Sequence, residues 1–236
     1  MPVINDWKIL ERARRRAGKF MAGSLPASGI KMTALLPEMA MELKDGGVLA
    51  PAMVHETYAV AEIGADHILL ANGKRLDVSP QLAGEIAGAE NIVVAAATLG
   101  PALEARIAAL FAERQALRAL TLEELATAAL FELSDQVSAC IVRMARKLGH
   151  GASDRYAPGD DGVPFALQPV LCELAGAGRL GIGLSGSGMM RPVKSLCFLF
   201  ATGKGLAGRK PVRSCQTCRA RERCRYRAAP PRGIAA

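Results

Sequence analysis

Aromatic side chains are scarce in this chain: one tryptophan, three tyrosines and six phenylalanines among 236 residues. A surface of cations interleaved with stacking rings, a common grip on single-stranded nucleic acid, is therefore not expected. The scarcity also leaves alanine, leucine, valine and methionine to fill the core. Half of all residues are hydrophobic, enough for a sizeable one. No apolar run reaches the ~20 residues that cross a bilayer, so no membrane association is expected. The stretch Trp7–Phe20 is amphipathic and charged, unlike a secretory leader, and Asp6 and Glu11 argue against an organelle transit peptide. The three histidines, His55, His67 and His150, stand singly, and H-E-x-x-H is absent. Imidazole metal chemistry therefore has no framework. Six unevenly spaced cysteines do not make a disulfide scaffold; they point to a reduced, cytoplasmic compartment.

The formal charge is +8, and it gathers at the two ends. Arg12, Arg14, Arg15, Arg16 and Lys19 lie near one end, a second basic stretch follows Gly203, and the middle is close to balanced. Such a distribution suits an acidic protein partner or a solvated surface as well as nucleic acid.

Residues 4–21 have helical apolar spacing, and a second helical stretch, MTALLPEMAMELK, follows the turn-rich GSLPASG, with Pro37 expected to kink or start it. MVHETYAV reads as a strand. DHILLANGKRLDV holds two short strands around Asn72-Gly73, a strong hairpin signal. ENIVVAAATLG is a continuous apolar strand. Pro101 opens a helix over 101–117. A longer helix is expected from a Thr121 cap, with Glu124 completing a capping box, to Lys147. FALQPVLCELA reads as a short helix, and GIGLSGSGMM and VKSLCFLFATG as strands or extended arms. A hairpin sheet segregated from paired helices predicts an α+β fold with a mixed or antiparallel sheet. The chain divides into an N-terminal helical segment (1–50), an α+β domain (51–207) and a basic cysteine-rich tail (208–236).

Two stretches, Gly181 to Gly186 and Gly203 to Gly208, match G-x-G-x-x-G. Neither opens a helix within a βαβ unit, so neither predicts a dinucleotide site. Ser185 and Ser187 lack the strand–elbow–helix setting of a hydrolase nucleophile.

The order of VVAAATLGPALEARIAALF, LEELATAALFELSDQVSACIV, RYAPGDDGVPFALQPVLCELAG and GIGLSGSGMMRPVKSLCFLF resembles the activation region of vitamin B12-dependent methionine synthase. Free-standing proteins of that superfamily are the nearer likeness. The resemblance runs from about residue 53 to 203. Its most specific parts are R-x-x-x-G, from Arg155 to Gly159, and G-[IM]-x-L…M-x-P-x-x-S, from Gly181 to Ser195. It implies a domain that binds S-adenosylmethionine and faces a corrinoid whose cobalt has become inactive. An electron from a redox protein and the methyl of S-adenosylmethionine then restore the methylated cobalt. The implied ligand residues are Arg155 for the methionyl carboxylate, Glu132 for its ammonium, and the stiff turn Pro158-Gly159-Asp160 for close backbone approach. Two positions depart from the pattern: the family usually has tyrosine where this chain has Asp160, and many relatives have cysteine where it has Asp161. D-x-H-x-x-G, the corrinoid-binding signature, is absent. A corrinoid protein or B12-dependent methyltransferase is thus the expected partner, with a redox protein as electron donor.

The tail reads SCQTCRARERCRYR, with Cys215, Cys218 and Cys224 at C-x2-C-x5-C among five arginines. Three close thiolates can wrap a [4Fe-4S] cluster or zinc, with Cys197, Cys172 or Asp161 as candidate fourth ligand. The arginines would offset the cluster's negative charge. Reductive cobalt chemistry needs an electron route, so iron–sulfur is the reading the resemblance favours. Two other functions stay open: a non-catalytic metal-binding module whose basic tail docks a protein or nucleic acid, and an activation fold whose pocket has been lost.

Overall fold

Ile9, Leu10, Ala13, Ala17 and Met21 recur at helical spacing and form the buried face of helix α1 (Asp6–Ser24), while Arg12, Arg14 and Arg15 face solvent. The computed structural model describes residues 6–24, 26–206, 222–224 and 226. Helix α2 (Pro26–Asp45) opens on its proline, where a missing N–H costs nothing. It begins well before the expected start and continues through Pro37. That proline removes one helical hydrogen bond, but Leu36, Met39, Ala40 and Leu43 are buried around it and hold the helix together.

A six-stranded sheet follows, ordered β3-β2-β1-β4-β8-β5 with every pair antiparallel. Its strands are β1 (Ala52–Ile63), β2 (His67–Leu70), β3 (Arg75–Asp77), β4 (Asn91–Thr98), β5 (Gly151–Ala152) and β8 (Ser195–Gly203). Strands β6 (Gly183–Leu184) and β7 (Met190–Arg191) form a separate small hairpin. The Asn72-Gly73 turn joins β2 to β3 as expected, with Gly73 at φ +83°. Strand β1 changes partner at an irregularity between Val60 and Glu62, so its first part pairs with β4 and its last part with β2.

Central strand β4 is buried on both faces, which accounts for its unbroken apolar run. Val93, Ala95 and Ala97 join a core with α1, α2, α4 (Ala102–Ala112) and α5 (Ala116–Lys147). Ile92, Val94 and Ala96 face the opposite core, with α3 (Pro80–Glu85) and α6 (Gln168–Ala175). The small side chains of β4 meet Ala126 and Ala129 of α5 in one core, so backbones approach closely without aromatic filler. Because α1 and α2 share that core, residues 6–45 pack as part of the same body as the sheet.

The break between α4 and α5 differs from the sequence expectation. It lies at Glu113–Gln115, where Arg114 takes φ +59°. Thr121 is therefore buried inside α5 rather than capping it, and its hydroxyl donates to the Leu117 carbonyl at 2.7 Å. Helix α5 is also long and apolar enough, by length and composition, to cross a membrane. In this fold its apolar side is spent on the core, against β4, β8, α1 and α2.

Candidate functional site

Strand β5 pairs with the end of β8, Gly151 opposite Gly203 and Ala152 opposite Thr202. The next pairing is Tyr156 opposite Leu199. Four steps along one strand therefore face three along the other, a bulge with one extra residue. Ser153 stabilises it, accepting the Ala201 N–H through Oγ at 2.9 Å. Successive side chains along the strand point to opposite faces of the sheet. Tyr156 points towards α3, where its hydroxyl donates to Glu85 at 3.0 Å. Arg155 turns over α5.

There its Nη1 donates to the hydroxyl of Ser134 and lies 3.3 Å from Asp135. Asp135 is shared: its other oxygen takes Arg16 of α1 at 3.1 Å. Arg16 also pairs with Glu132 at 2.7 Å and lies over the ring of Phe131, 5.2 Å from its centre. Arg155 and Glu132, two residues expected from the sequence, thus stand at either end of one ionic chain. The links between them, Asp135 and Arg16, were not anticipated, nor was the Ser134 hydroxyl that Arg155 also meets. Asp135 was within reach, since it follows Glu132 by three residues on one helix face. Nothing local in the sequence points to Arg16, whose role depends on how α1 docks.

Asp154, at the bulge, has its carboxyl pushed up to about 6, first by burial and then by Glu85, with the Arg155 guanidinium pulling the other way. Beyond Arg155 the chain makes a tight turn. Asp160 N–H bonds to the Ala157 carbonyl at 2.9 Å, and the Asp160 carboxylate folds back to accept the Ala157 N–H at 2.8 Å. Asp160 therefore ties its own loop. Gly159 has φ +94° and only open space where a Cβ would be, so backbone is exposed for close approach. Gly162, at φ +98°, is instead packed against Ser79 and Leu82.

The second specific segment, Gly181 to Ser195, is the β6–β7 hairpin and the entry to β8. Lys194 is 8 % exposed; its ammonium pairs with Glu123 and donates to Thr127 at 3.1 Å, both on α5. Ser195 donates to Thr98 at 2.9 Å. These bonds fasten the segment to α5 and β4.

Cys215 and Cys218 lie outside the described residues. Cys224 is described, two residues before Tyr226, which packs on α1 and α5. Cys172 and Cys197 are hydrogen-bonded to each other in the α3–α6 core, with the sheet between them and α5. That bond and burial push the Cys197 thiol far above its ordinary range. Asp161 is exposed on the Arg155 loop. Among the described residues no group of three or more His, Cys, Asp or Glu side chains is placed to hold a metal ion.

With this geometry in view, the comparisons with known proteins are narrow. No family model and no curated protein matches the chain. Among solved structures, it is similar to the crystal structure of the MetH reactivation domain bound to AdoHcy. The TM-score is 0.67 at 16 % identity, over 88 % of this chain and 79 % of that one. The likeness is one of fold. It is broader than the sequence resemblance, because residues 53–203 make up less than two thirds of the chain and the superposition covers 88 %.

Proposed function

We propose that this chain binds S-adenosylmethionine on the α5 face beside Arg155 and serves a corrinoid protein or B12-dependent methyltransferase as a reductive-activation module. The supporting observation is the Arg155 bulge in a fold shared with a reactivation domain that was crystallised with AdoHcy. Arg155 commits only Nη1 to α5 among the described residues, which leaves Nη2 and Nε for a carboxylate. Glu132 and Asp135 supply negative charge for the ligand's ammonium, and the open Cα of Gly159, four residues beyond Arg155, gives backbone room. Pro158 and the Asp160 tie hold that turn in shape.

In this reading the partner brings the corrinoid as substrate. An electron from a redox protein, together with the sulfonium methyl, returns the partner's cobalt to its methylated state and leaves S-adenosylhomocysteine on this chain. The three tail cysteines, Cys215, Cys218 and Cys224, are the proposed holders of an iron–sulfur cluster or zinc on the electron's route. Asp161 is the surface-exposed candidate for the fourth position. Iron, sulfide and zinc analysis of anaerobically purified protein tests that part, and metal-free protein removes it.

The nucleotide claim is tested by calorimetric titration of S-adenosylmethionine and AdoHcy into wild type and Arg155→Ala. Loss of a charge-assisted fork is expected to weaken binding by about 10- to 100-fold. A wild-type protein that takes neither nucleotide ends the proposal.

A further inference from the structure

Tyr226 lies in the basic cysteine-rich segment and packs on the α1–α5 face beside the site described so far. Its ring meets Phe20 of α1 at 4.9 Å between centroids, nearly edge-on at 78°, and Phe131 of α5 at 5.7 Å. Phe20 and Phe131 lie 6.2 Å apart, so three rings close a triangle in a chain that has few rings. The Tyr226 hydroxyl donates to Glu124, 3.4 and 3.3 Å from its two oxygens, and Glu124 is only 7 % exposed. Glu124, Phe131 and Asp135 follow one another at spacings of seven and four, which puts them on one face of α5. That side of α5 carries carboxylates from Glu124 and, paired with Arg16, from Glu132 and Asp135, and the sequence places five arginines between positions 214 and 227. Its charge complements the segment's.

The contacts continue beyond the pin. Phe131, against which Tyr226 packs, is also the ring beneath the Arg16 guanidinium. Arg16 holds Glu132 and Asp135, and Asp135 holds Arg155. We propose that the α1–α5 face is the docking site of the chain's own C-terminal segment, with Tyr226 as the pin, and that the docked ring positions Arg155 through Phe131, Arg16 and Asp135. The docking stands by itself; its consequence for ligand binding rests on the nucleotide reading above. Tyr226 is a positioning residue in this scheme.

Trypsin cleavage of the full chain, followed by mass spectrometry, reads the docking directly. Cleavage after Arg223 and Arg225 is expected to be about tenfold slower in wild type than in a synthetic peptide of residues 214–227, because the site must open before it is cut. Tyr226→Ala should bring it to the peptide's rate and Tyr226→Phe to an intermediate one, with the body still folded and its thermal midpoint lowered by about 2–4 °C in Tyr226→Ala. Wild type cut as fast as the peptide overturns the docking. AdoHcy titration reads the positioning: Tyr226→Ala is expected to weaken binding by about fivefold, and Tyr226→Phe, which keeps the ring, by less than about twofold. Equal affinity for wild type and Tyr226→Ala overturns the positioning. If wild type takes no AdoHcy, the positioning falls with the nucleotide reading, and the docking is decided by the cleavage rates.

Discussion

Arg16 and Glu132 are 116 residues apart in the chain and meet at 2.7 Å. The pair joins the N-terminal helix to the middle of α5, and it is well shielded, with side-chain exposures of 23 % and 14 %. Arg16→Ala leaves Glu132 with little water and no cation. The expected cost is about 2 kcal/mol, below the figure for a fully buried pair. Thermal unfolding followed by circular dichroism should show a midpoint lower by about 4–8 °C. Glu132→Gln in the same chain should recover part of that loss, because the stranded charge is removed. A double variant as unstable as Arg16→Ala would mean that packing of the arginine stem, not its charge, held α1 in place.

Two glycines of the Arg155 loop share a left-handed backbone and differ in their surroundings. A Cβ on Gly159 meets nothing within 4 Å, whereas one on Gly162 falls 2.9 Å from both Leu82 Cβ and Ser79 Oγ. Gly159→Ala is thus expected to cost only the backbone strain, about 1–2 kcal/mol. Gly162→Ala adds a collision with α3 and its cap, for about 3 kcal/mol or more in all. Urea unfolding of the two variants checks the order. If the proposed ligand approaches the Gly159 backbone, Gly159→Ala should also lose nucleotide affinity while remaining folded.

Asp160 shapes the turn that follows Arg155. Its carboxylate accepts the Ala157 N–H at 2.8 Å and so acts within the turn. Asp160→Asn keeps an acceptor and should leave stability unchanged. Asp160→Ala should cost about 1 kcal/mol, a lowering of about 2–4 °C in the midpoint. Asp160→Tyr places in the turn the ring that the sequence resemblance leads one to expect. Under the proposed nucleotide reading it should tighten AdoHcy binding, and unchanged affinity would show that the ring has no place beside the ligand.

Much of this architecture was legible in the residues. Asn72-Gly73 marked its hairpin, Ile92–Thr98 its buried strand, and the apolar spacing of α1 its helix. Patterns of that kind are local, so they survive without knowledge of the fold. Thr121 misled because a threonine followed by glutamate three residues on looks like a cap, yet burial of Ala119 and Leu122 carries α5 backwards past it. Pro37 misled for a related reason: tertiary packing on both sides of it outweighs one missing hydrogen bond. At the site, Arg155 and Glu132 were named from motif order, whereas Arg16 and Asp154 depend on docking and burial that no local pattern encodes.

Asp154 provides a test that depends on pH. Burial pushes its carboxyl up to about 6 from the ordinary 3.8, with Glu85 adding to the effect and Arg155 opposing it. The folded protein therefore holds this proton more tightly than the unfolded chain does. The associated stability is complete below about pH 3.8, declines as pH rises towards 6, and is absent above that. Asp154→Asn removes a charge that the fold tolerates poorly. At pH 7 it should stabilise the protein by about 1 kcal/mol, once solvent screening at a half-exposed group is allowed for. At pH 2.5, where the wild-type carboxyl is almost wholly neutral in both states, the two proteins should unfold alike. Urea midpoints for both across this range provide the measurement. A stabilisation of equal size at both pH values would show that the asparagine acts through a new hydrogen bond and that the carboxyl's burial plays no part.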